Sequence, residues 1–503
     1  MKSVTDYLDN IVEIFPDKTA YQDKQDSISF IDLRSQAYKV AFSLIENGLQ
    51  KKPVMIFMDK SVYCIAAFFG VAYSGNFYTP IDTTMPQERL DRIIARLAPA
   101  AVITDDEHIE MAKRIFDSCP VFLYNEMTIG EKNKEEVEMR KQEILDTDIL
   151  YVMFTSGSTG EPKGVIISHK SVMNYVDWIC TDFDINESSV LGNEASLYFD
   201  LSIQDVYAPI KTGCTTILID KKKFTFPADL MKSLKEWKVN TIVWVPSALC
   251  MVANMRGLKS SSLPQLKTVM FCGEVMPNKQ LNMWRKVFPD TLFVNLYGPT
   301  EACDACMFYK VEREFSDEDI LPIGYHAPNT EIILIDEDMN VVQEYGREGE
   351  ICIRGIALSY GYYNDFERTN EVFVQNPLVH THREIIYKTG DIGKYNEQGE
   401  LEYVCRKDFQ IKHLGHRVEL QEIEAAGISC NGINSICCMY NNEKQMIVLF
   451  YEGNLTGEVI LEHLKRKLPS YMIPGRIINM LHMPYTSNGK VDRNKLMQEY
   501  RKV

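Results

Sequence analysis

The chain is 503 residues long, with 45% hydrophobic residues, 25% charged residues and a formal net charge of −16. This is an ordinary globular composition, and the length is sufficient for several hydrophobic cores. The negative charge argues against broad contact with nucleic acid or an anionic membrane surface, because their phosphates would repel the protein.

The first 15 residues carry charged side chains at intervals, which predicts an amphipathic helix and not a signal peptide. The longest apolar stretch, Tyr63–Tyr73, is too short to span a bilayer, so we expect a core helix and no membrane insertion. The thirteen cysteines show no disulfide-framework spacing, which favours a reducing compartment. We therefore expect a cytoplasmic protein.

Cys303 and Cys306 form a CxxC pair that could in principle bind zinc or act in redox chemistry. The sequence offers no second CxxC and no partnered histidine pair. We therefore do not expect metal or redox chemistry here, and the role of the pair stays open.

The first 145 residues alternate strand and helix patterns, for example a strand at Val54–Met58, a helix at Val62–Tyr73 and a strand at Ala101–Thr104. Such alternation is typical of an α/β fold.

Residues Tyr151–Val165 join an apolar strand pattern to a loop rich in glycine and hydroxyl groups. Hydroxyls and unhindered backbone N–H groups suit an oxyanion, and a lysine adds a charge that can reach a phosphate. The spacing is not that of a P-loop, and the strand patterns on both sides disfavour a simple Ser/Gly linker. We predict a phosphate-binding loop that comprises Thr155, Ser156, Gly157, Ser158, Thr159, Gly160 and Lys163.

Three later strand patterns, Thr241–Val245, Leu266–Cys272 and Leu292–Leu296, each run into polar or glycine residues. Ligands of parallel α/β sheets bind at the carboxyl ends of the strands, so we expect these loops to converge on one site. In the last loop, Tyr297 offers a stacking face and Glu301 a carboxylate suited to Mg²⁺. Taken singly, each is more often structural.

The sequence pattern becomes rich in predicted strands between Glu331 and Tyr403. A charged patch at 406–408 then separates two apolar segments. We place the domain boundary there. The expected architecture is a large N-terminal domain (1–407) of packed α/β sheets with a β-rich subdomain, followed by a small, mobile α+β lid domain (408–503).

Two charged residues near these segments are candidates for ligand contacts. Asp391 lies in a loop where a carboxylate could accept bonds from two ribose hydroxyls. Lys490 lies on a glycine turn before the terminal helix, where it is either exposed or delivered into a site by lid closure.

These segments closely resemble the adenylate-forming superfamily of acyl-CoA synthetases, luciferases and nonribosomal peptide adenylation domains, over nearly the whole chain. Within it, the chain is most similar to free-standing D-alanine:carrier protein ligases and related amino-acid adenylating enzymes. The motifs that carry the resemblance are the phosphate loop, NLYGPTE (Asn295–Glu301), YKTGD (Tyr387–Asp391), RKDFQIKHLGHRVE (Arg406–Glu419), FDLS (Phe199–Ser202), CGEV (Cys272–Val275) and Asn488–Lys490.

The resemblance implies how ATP is held. The phosphate loop would bind the β and γ phosphates, Tyr297 would stack on adenine, Asp391 would grip the ribose, and Arg406 would lie near the ribose and α-phosphate. Glu301 with Thr155 would help to place Mg²⁺, and Lys490 would be catalytic. The remaining residues implied at the nucleotide are Gly273, Glu274, Asn295, Leu296, Gly298, Pro299 and Thr300.

The resemblance also implies that Asp200 pairs with the α-ammonium group of an amino acid. The implied side-chain pocket comprises Asp200, Leu201, Gln204, Trp244, Met270, Cys272, Leu296, Asp304 and Ala305. Trp244 and Met270 suggest a small cavity, and Cys272 matches the residue that D-alanine ligases carry. Asp304 departs from them: a buried carboxylate is unfavourable unless paired, so it favours a hydroxyl, amide or amine on the substrate, or it turns outward or is satisfied by backbone.

The implied activity is ATP-dependent conversion of an amino acid, with D-alanine among the small candidates, to aminoacyl-AMP with release of pyrophosphate. Transfer to the phosphopantetheine thiol of a separate carrier protein would follow, after the lid domain turns about Asp408, withdraws Lys490 and presents the loop at 412–415. One alternative is an acyl-CoA synthetase for an amine-free acid, which has less reason to place an acid at Asp200. The other, a non-catalytic adenylate-binding protein, is disfavoured by the intact set of charged motif residues.

Overall fold

The computed structural model describes residues 1–157, 161–255, 258, 263–442, 444–485 and 491–500. Its α-helices are α1 (Val4–Ile14), α2 (Phe30–Glu46), α3 (Val62–Tyr73), α4 (Gln87–Leu97), α5 (Ile109–Ile115), α6 (Tyr124–Met127), α7 (Lys134–Gln142), α8 (His169–Asp182), α9 (Ile203–Thr212), α10 (Pro227–Glu236), α11 (Pro246–Asn254), α12 (Asn278–Val287), α13 (Phe366–Val372), α14 (Leu420–Ile428), α15 (Gly457–Lys467) and α16 (Arg493–Tyr500).

The strands are β1 (Thr19–Gln22), β2 (Ser27–Ser29), β3 (Pro53–Phe57), β4 (Phe77–Pro80), β5 (Ala101–Thr104), β6 (Val121–Leu123), β7 (Ile149–Thr155), β8 (Lys163–Ser168), β9 (Val190–Asn193), β10 (Thr215–Leu218), β11 (Thr241–Trp244), β12 (Thr268–Phe271), β13 (Leu292–Tyr297), β14 (Met307–Lys310), β15 (Tyr325–His326), β16 (Thr330–Ile335), β17 (Gly349–Gly355), β18 (Phe373–Gln375), β19 (Ile385–Tyr395), β20 (Leu401–Arg406), β21 (Gln410–His413), β22 (His416–Glu419), β23 (Ile433–Asn441), β24 (Met446–Gly453) and β25 (Arg476–Asn479).

Two helices show how the sequence pattern sets the fold. Helix α1 alternates buried and polar positions, which confirms the amphipathic N-terminal helix. Helix α3 is apolar around its whole circumference and is buried along almost its full length, which confirms a core helix at Val62–Tyr73. The Ser61 hydroxyl caps its first turn by accepting the Cys64 N–H at 3.2 Å.

Within the described ranges, no helix is long and apolar enough to cross a membrane.

The chain divides into two compact units. Unit 1 comprises Met1–Thr83, Leu97–Met153 and Gly164–Lys407, and unit 2 comprises Thr84–Arg96, Phe154–Lys163 and Asp408–Val503.

The nine-stranded sheet of unit 1 positions most of the predicted site. Its order is β15-β14-β13-β12-β11-β9-β10-β1-β2, and the strands from β13 through β1 are parallel to their neighbours. The central strands β11 and β12 are buried at every position, as expected of strands covered on both faces. The carboxyl ends of these parallel strands therefore lie along one edge, where α/β proteins bind ligands.

Two further sheets complete the larger part of the fold. A six-stranded sheet has the order β6-β5-β3-β4-β7-β8 and is parallel in the pairs from β6 to β7. The β-rich region predicted after Glu331 forms an antiparallel sheet of order β16-β17-β19-β18, with β20 paired to β19. The predicted mixed α/β organisation is confirmed.

Unit 2 contains a three-stranded sheet of order β23-β24-β25, the hairpin β21–β22, and helices α14 and α15, which share a small apolar core. Helix α4 contributes Arg89, whose guanidinium forms a fully buried ion pair with Glu422 of α14. Arg89 is also 3.8 Å from the sulfur of Met472. A buried ion pair needs such complementary packing to offset the loss of hydration of both charges.

Candidate active site

The predicted ribose contact, Asp391, lies in unit 1 within a network of hydrogen bonds. The hydroxyl of Tyr297, at the end of β13, donates to Asp391 Oδ2 at 2.6 Å. Arg406, on the neighbouring strand β20, donates from Nη1 to Oδ1 at 2.9 Å. Burial, and then the Asp391 charge, raise the pKa of Tyr297 well above its ordinary value, so its hydroxyl remains a donor. The structure therefore brings together three of the residues predicted to hold the nucleoside.

The turn after Tyr297 depends on a glycine. A Cβ at Gly298 would lie 2.4 Å from the carbonyl oxygen of Asp304 and 2.6 Å from the Cα of Ala305. The Cys306 N–H then donates to the Tyr297 carbonyl at 2.9 Å, which holds the two segments together. Close backbone approach explains why this position requires glycine. It also places Asp304 and Ala305 against the predicted adenine turn.

Other members of the nucleotide set are fixed by local contacts. The Asn295 side chain donates to the Pro322 carbonyl at 2.8 Å, and the Glu274 carboxylate accepts the Ser247 N–H at 2.8 Å. Gly273 has a φ of +95°, which glycine adopts without strain. Leu296 is buried within β13, and Pro299 and Thr300 lead into a short 3₁₀ turn at Thr300–Ala302.

Glu301, the predicted magnesium ligand, is completely buried. Its Oε1 accepts a hydrogen bond of 2.7 Å from the Tyr362 hydroxyl, and its backbone carbonyl accepts the Ser359 N–H at 2.8 Å. Sequence reasoning missed Tyr362, because it precedes no motif and lies 61 residues from Glu301. The tyrosine orients a carboxylate that the fold otherwise keeps from water.

The phosphate loop belongs to unit 2, apart from its flanking strand residues. The Ser156 hydroxyl donates to the carbonyl oxygen of Arg417 at 2.6 Å. Thr155 Oγ1 is buried and has no hydrogen-bond partner in the part of the chain that is described. Lys163 is 9% exposed. Ser158, Thr159 and Gly160, and also Lys490, lie outside the described residues, while Gly157 lies within them.

Asp200 lies in a short 3₁₀ turn between β9 and α9, and it is only 8% exposed. Within the described ranges, no side chain or backbone group donates a hydrogen bond to its carboxylate, and no cation forms an ion pair with it. Its charge raises the pKa values of two buried neighbours, Tyr151 and Cys303, although burial is the larger cause in both. An unpaired buried carboxylate is unfavourable, and a ligand cation would relieve that cost.

Asp304, on which the sequence left two interpretations open, is 3% exposed and so does not turn outward. Its Oδ2 accepts a 2.6 Å hydrogen bond from the hydroxyl of Tyr175 on α8. Tyr175 also lies 3.5 Å from Oε1 of Gln204, so the three polar side chains form one buried cluster. Tyr175 was not predicted, because its position in a helix of mixed polar and apolar residues gives no sign of this contact.

The remaining predicted pocket residues are all buried. The Trp244 indole N–H donates to the Gly192 carbonyl at 2.8 Å, and its ring packs against Phe224 at 5.0 Å, so the sheet itself fixes this side chain. On β12, Phe271 pairs with Trp244 and Met270 pairs with Val243, so the side chains of Trp244 and Met270 point to opposite faces of the sheet. Cys272 follows β12. Leu201 and Ala305 complete the predicted set and are 2% and 1% exposed.

The CxxC pair is buried inside unit 1. Burial raises the pKa of both thiols, and the Cys303 sulfur lies 3.9 Å from the Tyr151 hydroxyl. Cys303 and Asp304 both have positive φ values, of 58° and 74°, which strain two non-glycine residues in succession. In the described part of the chain, no group of three or more potential metal-binding side chains comes together.

Lys60 is a half-buried cation that sequence reasoning did not single out. It follows β3 of the six-stranded sheet, and its ammonium contacts four backbone carbonyl oxygens: Ala195 at 3.0 Å, Ile219 at 3.2 Å, and Asn193 and Glu194 at 3.3 Å. These carbonyls follow β9 and β10 of the nine-stranded sheet. Lys60 therefore ties the two sheets together beside the segment that leads to the 3₁₀ turn.

The hairpin β21–β22 carries the loop predicted to approach a thiol. Its two turn residues, Leu414 and Gly415, have φ values of 51° and 78°, as in a type I′ hairpin. The first turn residue is 55% exposed. Directly after the turn, the His416 ring stacks on Tyr471 at 3.8 Å, so the turn end of the hairpin is held by an aromatic contact inside unit 2.

Comparison with known proteins gives consistent matches. A family model described as AMP-binding enzyme matches residues 8–363. The chain is 32% identical to a D-alanine–D-alanyl carrier protein ligase of Bacillus cytotoxicus, over 96% of this chain and 97% of that protein. A ligase of the same name from Listeria monocytogenes is 31% identical over 99% of each chain.

Solved structures match the fold over almost the full length. The adenylation domain AlmE of Vibrio cholerae, in complex with glycyl-adenosine-5′-phosphate, has a TM-score of 0.86 and 22% identity, with coverage of 99% of this chain and 98% of that one. Holo-PA1221, a nonribosomal peptide synthetase protein with adenylation and carrier domains, has a TM-score of 0.84 and 21% identity, with coverage of 99% and 84%. These matches confirm the predicted fold class, with a large N-terminal and a smaller C-terminal domain.

Proposed function

The chain belongs to the AMP-binding enzyme family, and from this premise we propose that it activates a small amino acid with ATP and passes the aminoacyl group to a separate carrier protein. The family accounts for the use of ATP. The amino acid and the carrier are suggested by relatives that are named D-alanine–D-alanyl carrier protein ligases and match almost the full chain.

The main observation that supports this proposal is the environment of the Asp200 side chain. Its carboxylate is buried and has no hydrogen-bond or ion-pair partner among the described residues. The α-ammonium of an amino acid is the cation that would pair with it, and a charge-assisted hydrogen bond in a buried site contributes more than one in water. An amine-free acid would leave the carboxylate unpaired.

The side chains around the proposed nucleoside position fit ATP. Asp391 already accepts hydrogen bonds from Tyr297 and Arg406, so its carboxylate is oriented before ligand binds. Ribose hydroxyls are donors that such a carboxylate accepts. The Arg406 guanidinium is a permanent cation that suits the ribose and α-phosphate region. We propose that adenine packs against the Tyr297 ring.

The donor set also fits Mg²⁺, which binds oxygen ligands. Glu301 offers a buried carboxylate, and Thr155 offers a hydroxyl oxygen that lacks a partner among the described residues. We propose that these two residues help to hold the ion. Bound Mg²⁺ would offset negative charge on the phosphates of ATP.

Two reactions follow from these assignments. In the first, a carboxylate oxygen of the amino acid attacks the α-phosphorus in line, the bond from that phosphorus to the bridging oxygen breaks, and pyrophosphate leaves. Lys490 is proposed to stabilise the charge that develops on the transferring group. In the second reaction, the carrier's thiolate attacks the acyl carbonyl, AMP leaves, and a thioester forms. A turn of the C-terminal domain at Asp408 is proposed to separate the two reactions.

The first experiment is amino-acid-dependent exchange of pyrophosphate into ATP, with both enantiomers of alanine and serine, glycine, larger amino acids and matched acids that lack the amine. We expect exchange with a small amino acid and none with its amine-free counterpart. A preference for amine-free acids would instead favour an acyl-CoA synthetase. Absence of exchange with every acid, in protein that binds ATP, would favour a non-catalytic adenylate-binding protein.

The second experiment tests the catalytic lysine by separating the two reactions. Lys490→Ala is expected to slow adenylate formation by about 100-fold or more, the scale of losing one charge-stabilising group. Transfer from preformed aminoacyl-AMP to the carrier thiol is expected to continue at a similar rate. Equal loss in both reactions would show that this assignment is incorrect.

A further inference from the structure

Gln204 occupies a distinctive position relative to the proposed ammonium site. It lies four residues after Asp200, in the first turn of α9, and the intervening residues continue as a 3₁₀ turn into the helix. Gln204 contacts Tyr175, whose hydroxyl donates to Asp304, and the charges of Asp304 and Asp200 both act on the Cys303 thiol. A group bound through its ammonium at Asp200 would therefore have its side chain within reach of the Gln204 amide.

The Gln204 amide is completely buried, and its hydrogen-bonding capacity is incompletely used. Its nitrogen has no partner in the described part of the chain. Its oxygen lies 3.5 Å from the Tyr175 hydroxyl, but the single proton of that hydroxyl is already donated to Asp304 at 2.6 Å. At 3.5 Å, the contact between Gln204 and Tyr175 is at the weak limit of a hydrogen bond.

Rotation of the amide by 180° does not remove this deficiency. With the nitrogen facing Tyr175, the phenol oxygen could accept a hydrogen bond, but the amide oxygen would then take the unpaired position. In either orientation, one end of a buried amide lacks a partner. Such a group is destabilising, so a ligand that pairs with it gains affinity relative to one that does not.

We propose that the unpaired end of Gln204 selects an amino acid with a short hydroxylated side chain, of which serine is the simplest. This inference rests on the proposed function. A hydroxyl both donates and accepts, so it pairs with the Gln204 amide in either orientation. The methyl group of alanine would leave the amide unpaired. An acidic side chain would be repelled by Asp200 and Asp304, whose carboxylates share this part of unit 1.

The selectivity inferred here therefore differs from the D-alanine named for the curated relatives.

The test compares serine with alanine, in both enantiomers, by the kcat/KM of pyrophosphate exchange in the wild-type protein and in Gln204→Met. Methionine has a similar length and no amide. We expect the wild type to prefer serine by about 10-fold or more, and the variant to lose at least about 10-fold of that preference, since a site that hydrogen-bonds a hydroxyl rejects the analogue lacking it. Gln398→Met, at an exposed turn position, is the control and should keep the wild-type ratio.

A binding measurement gives a readout that does not depend on turnover. Non-hydrolysable seryl- and alanyl-adenylate analogues can be titrated calorimetrically into both proteins, and the preference for the seryl analogue should fall in Gln204→Met. Wild-type preference for alanine or glycine, or an unchanged serine preference in the variant, would overturn this inference alone. Absence of exchange with every amino acid would overturn the proposed function and this inference together.

Discussion

Unit 1 contains two side chains of opposite charge, the half-buried Lys60 and the buried Asp200, which differ in their partners. The Lys60 ammonium contacts four backbone carbonyl oxygens, one of them from Asn193. Seven residues later in the chain, the Asp200 carboxylate is 8% exposed and receives no hydrogen bond from any residue that the structure describes. Burial of an ion costs several kcal/mol unless partners replace its water.

The difference indicates which charge serves the fold and which serves a ligand. The hydrogen-bond partners of Lys60 are backbone atoms, and the carboxylates of Glu194, Asp205 and Asp220 add attraction from within the fold. No ligand needs to supply these partners, so this cation stabilises the folded chain. Under the proposed function, the partner of Asp200 is the α-ammonium group of the substrate. A charged side chain whose partners all belong to the fold is therefore weak evidence for a ligand site. A buried charged side chain without such partners is stronger evidence.

The largest expected effect is the loss of activity in Asp200→Asn. The neutral amide cannot form an ion pair with an α-ammonium group, and loss of one partner of a buried charge pair costs about 2–5 kcal/mol. We expect kcat/KM for amino-acid-dependent exchange to fall by about 100-fold or more, with the free energy of unfolding unchanged or higher. Asp290→Asn, an exposed control, should leave both values unchanged. If Asp200→Asn lowered the free energy of unfolding and left exchange normal, Asp200 would serve the fold and not a ligand.

Lys60→Met should show the opposite pattern. Removal of the ammonium takes away the donor to the carbonyl oxygens of Glu194, Ala195 and Ile219, and a buried group left without its partner costs about 1–3 kcal/mol. We expect chemical denaturation to give a loss of about 3 kcal/mol in the free energy of unfolding. Lys51→Met is the matched control, because Lys51 pairs with Asp148 on the surface, where such a bridge contributes about 0–1 kcal/mol. Equal stability of the two variants would contradict a structural role for Lys60.

His169 is another buried ionisable group, and it is kept neutral. Burial lowers its pKa from 6.5 to about 4, although Asp148, Asp6 and Asp146 act in the opposite direction. The unfolded chain therefore binds more protons between these values, so stability should fall as the pH drops from 6.5 through 4, by up to about 3 kcal/mol.

The check is urea denaturation of the wild type and His169→Gln at pH 7 and at pH 4.5. The loss of stability on acidification should be smaller in the variant, because glutamine does not titrate. The Val4 N–H donates to the His169 ring at 3.4 Å, and the glutamine amide oxygen offers a replacement acceptor. An identical acid response in both proteins would show that the imidazole does not control it.

The smallest expected effect concerns a residue with alternative partners. Tyr297→Phe removes one hydrogen bond to Asp391 but leaves the Arg406 contact and the aromatic ring in place. We expect the KM for ATP to rise by a few-fold, in line with about 1 kcal/mol for one hydrogen bond, with little change in the amino-acid KM. A larger increase in the amino-acid KM than in the ATP KM would contradict the proposed position of the Tyr297 hydroxyl at the nucleotide.

The sequence predicted the main elements of the fold because their signals are local. A continuous apolar run identified α3, and strand patterns identified β11 to β13, at whose carboxyl ends we propose that ligands bind. Side chains that come from distant segments left no such signal: Tyr175 meets Asp304 across 129 residues, and Tyr362 meets Glu301 across 61. The motif residues could be named from sequence, but the tyrosines that orient their carboxylates could not.

The buried pair of Arg89 and Glu422 bears on how the protein is made. The two residues are 333 positions apart in the chain, yet both are completely or almost completely buried in unit 2. At about 5–20 residues per second, Arg89 is synthesised roughly 15–70 seconds before its partner leaves the ribosome. Leu90 and Ile93, which lie on the same helix and are buried in the finished protein, are likewise made before residues 408–503 of unit 2. Unit 2 therefore cannot reach its final packing until synthesis is nearly complete, and nascent chains that stall before Glu422 should be substrates for chaperones.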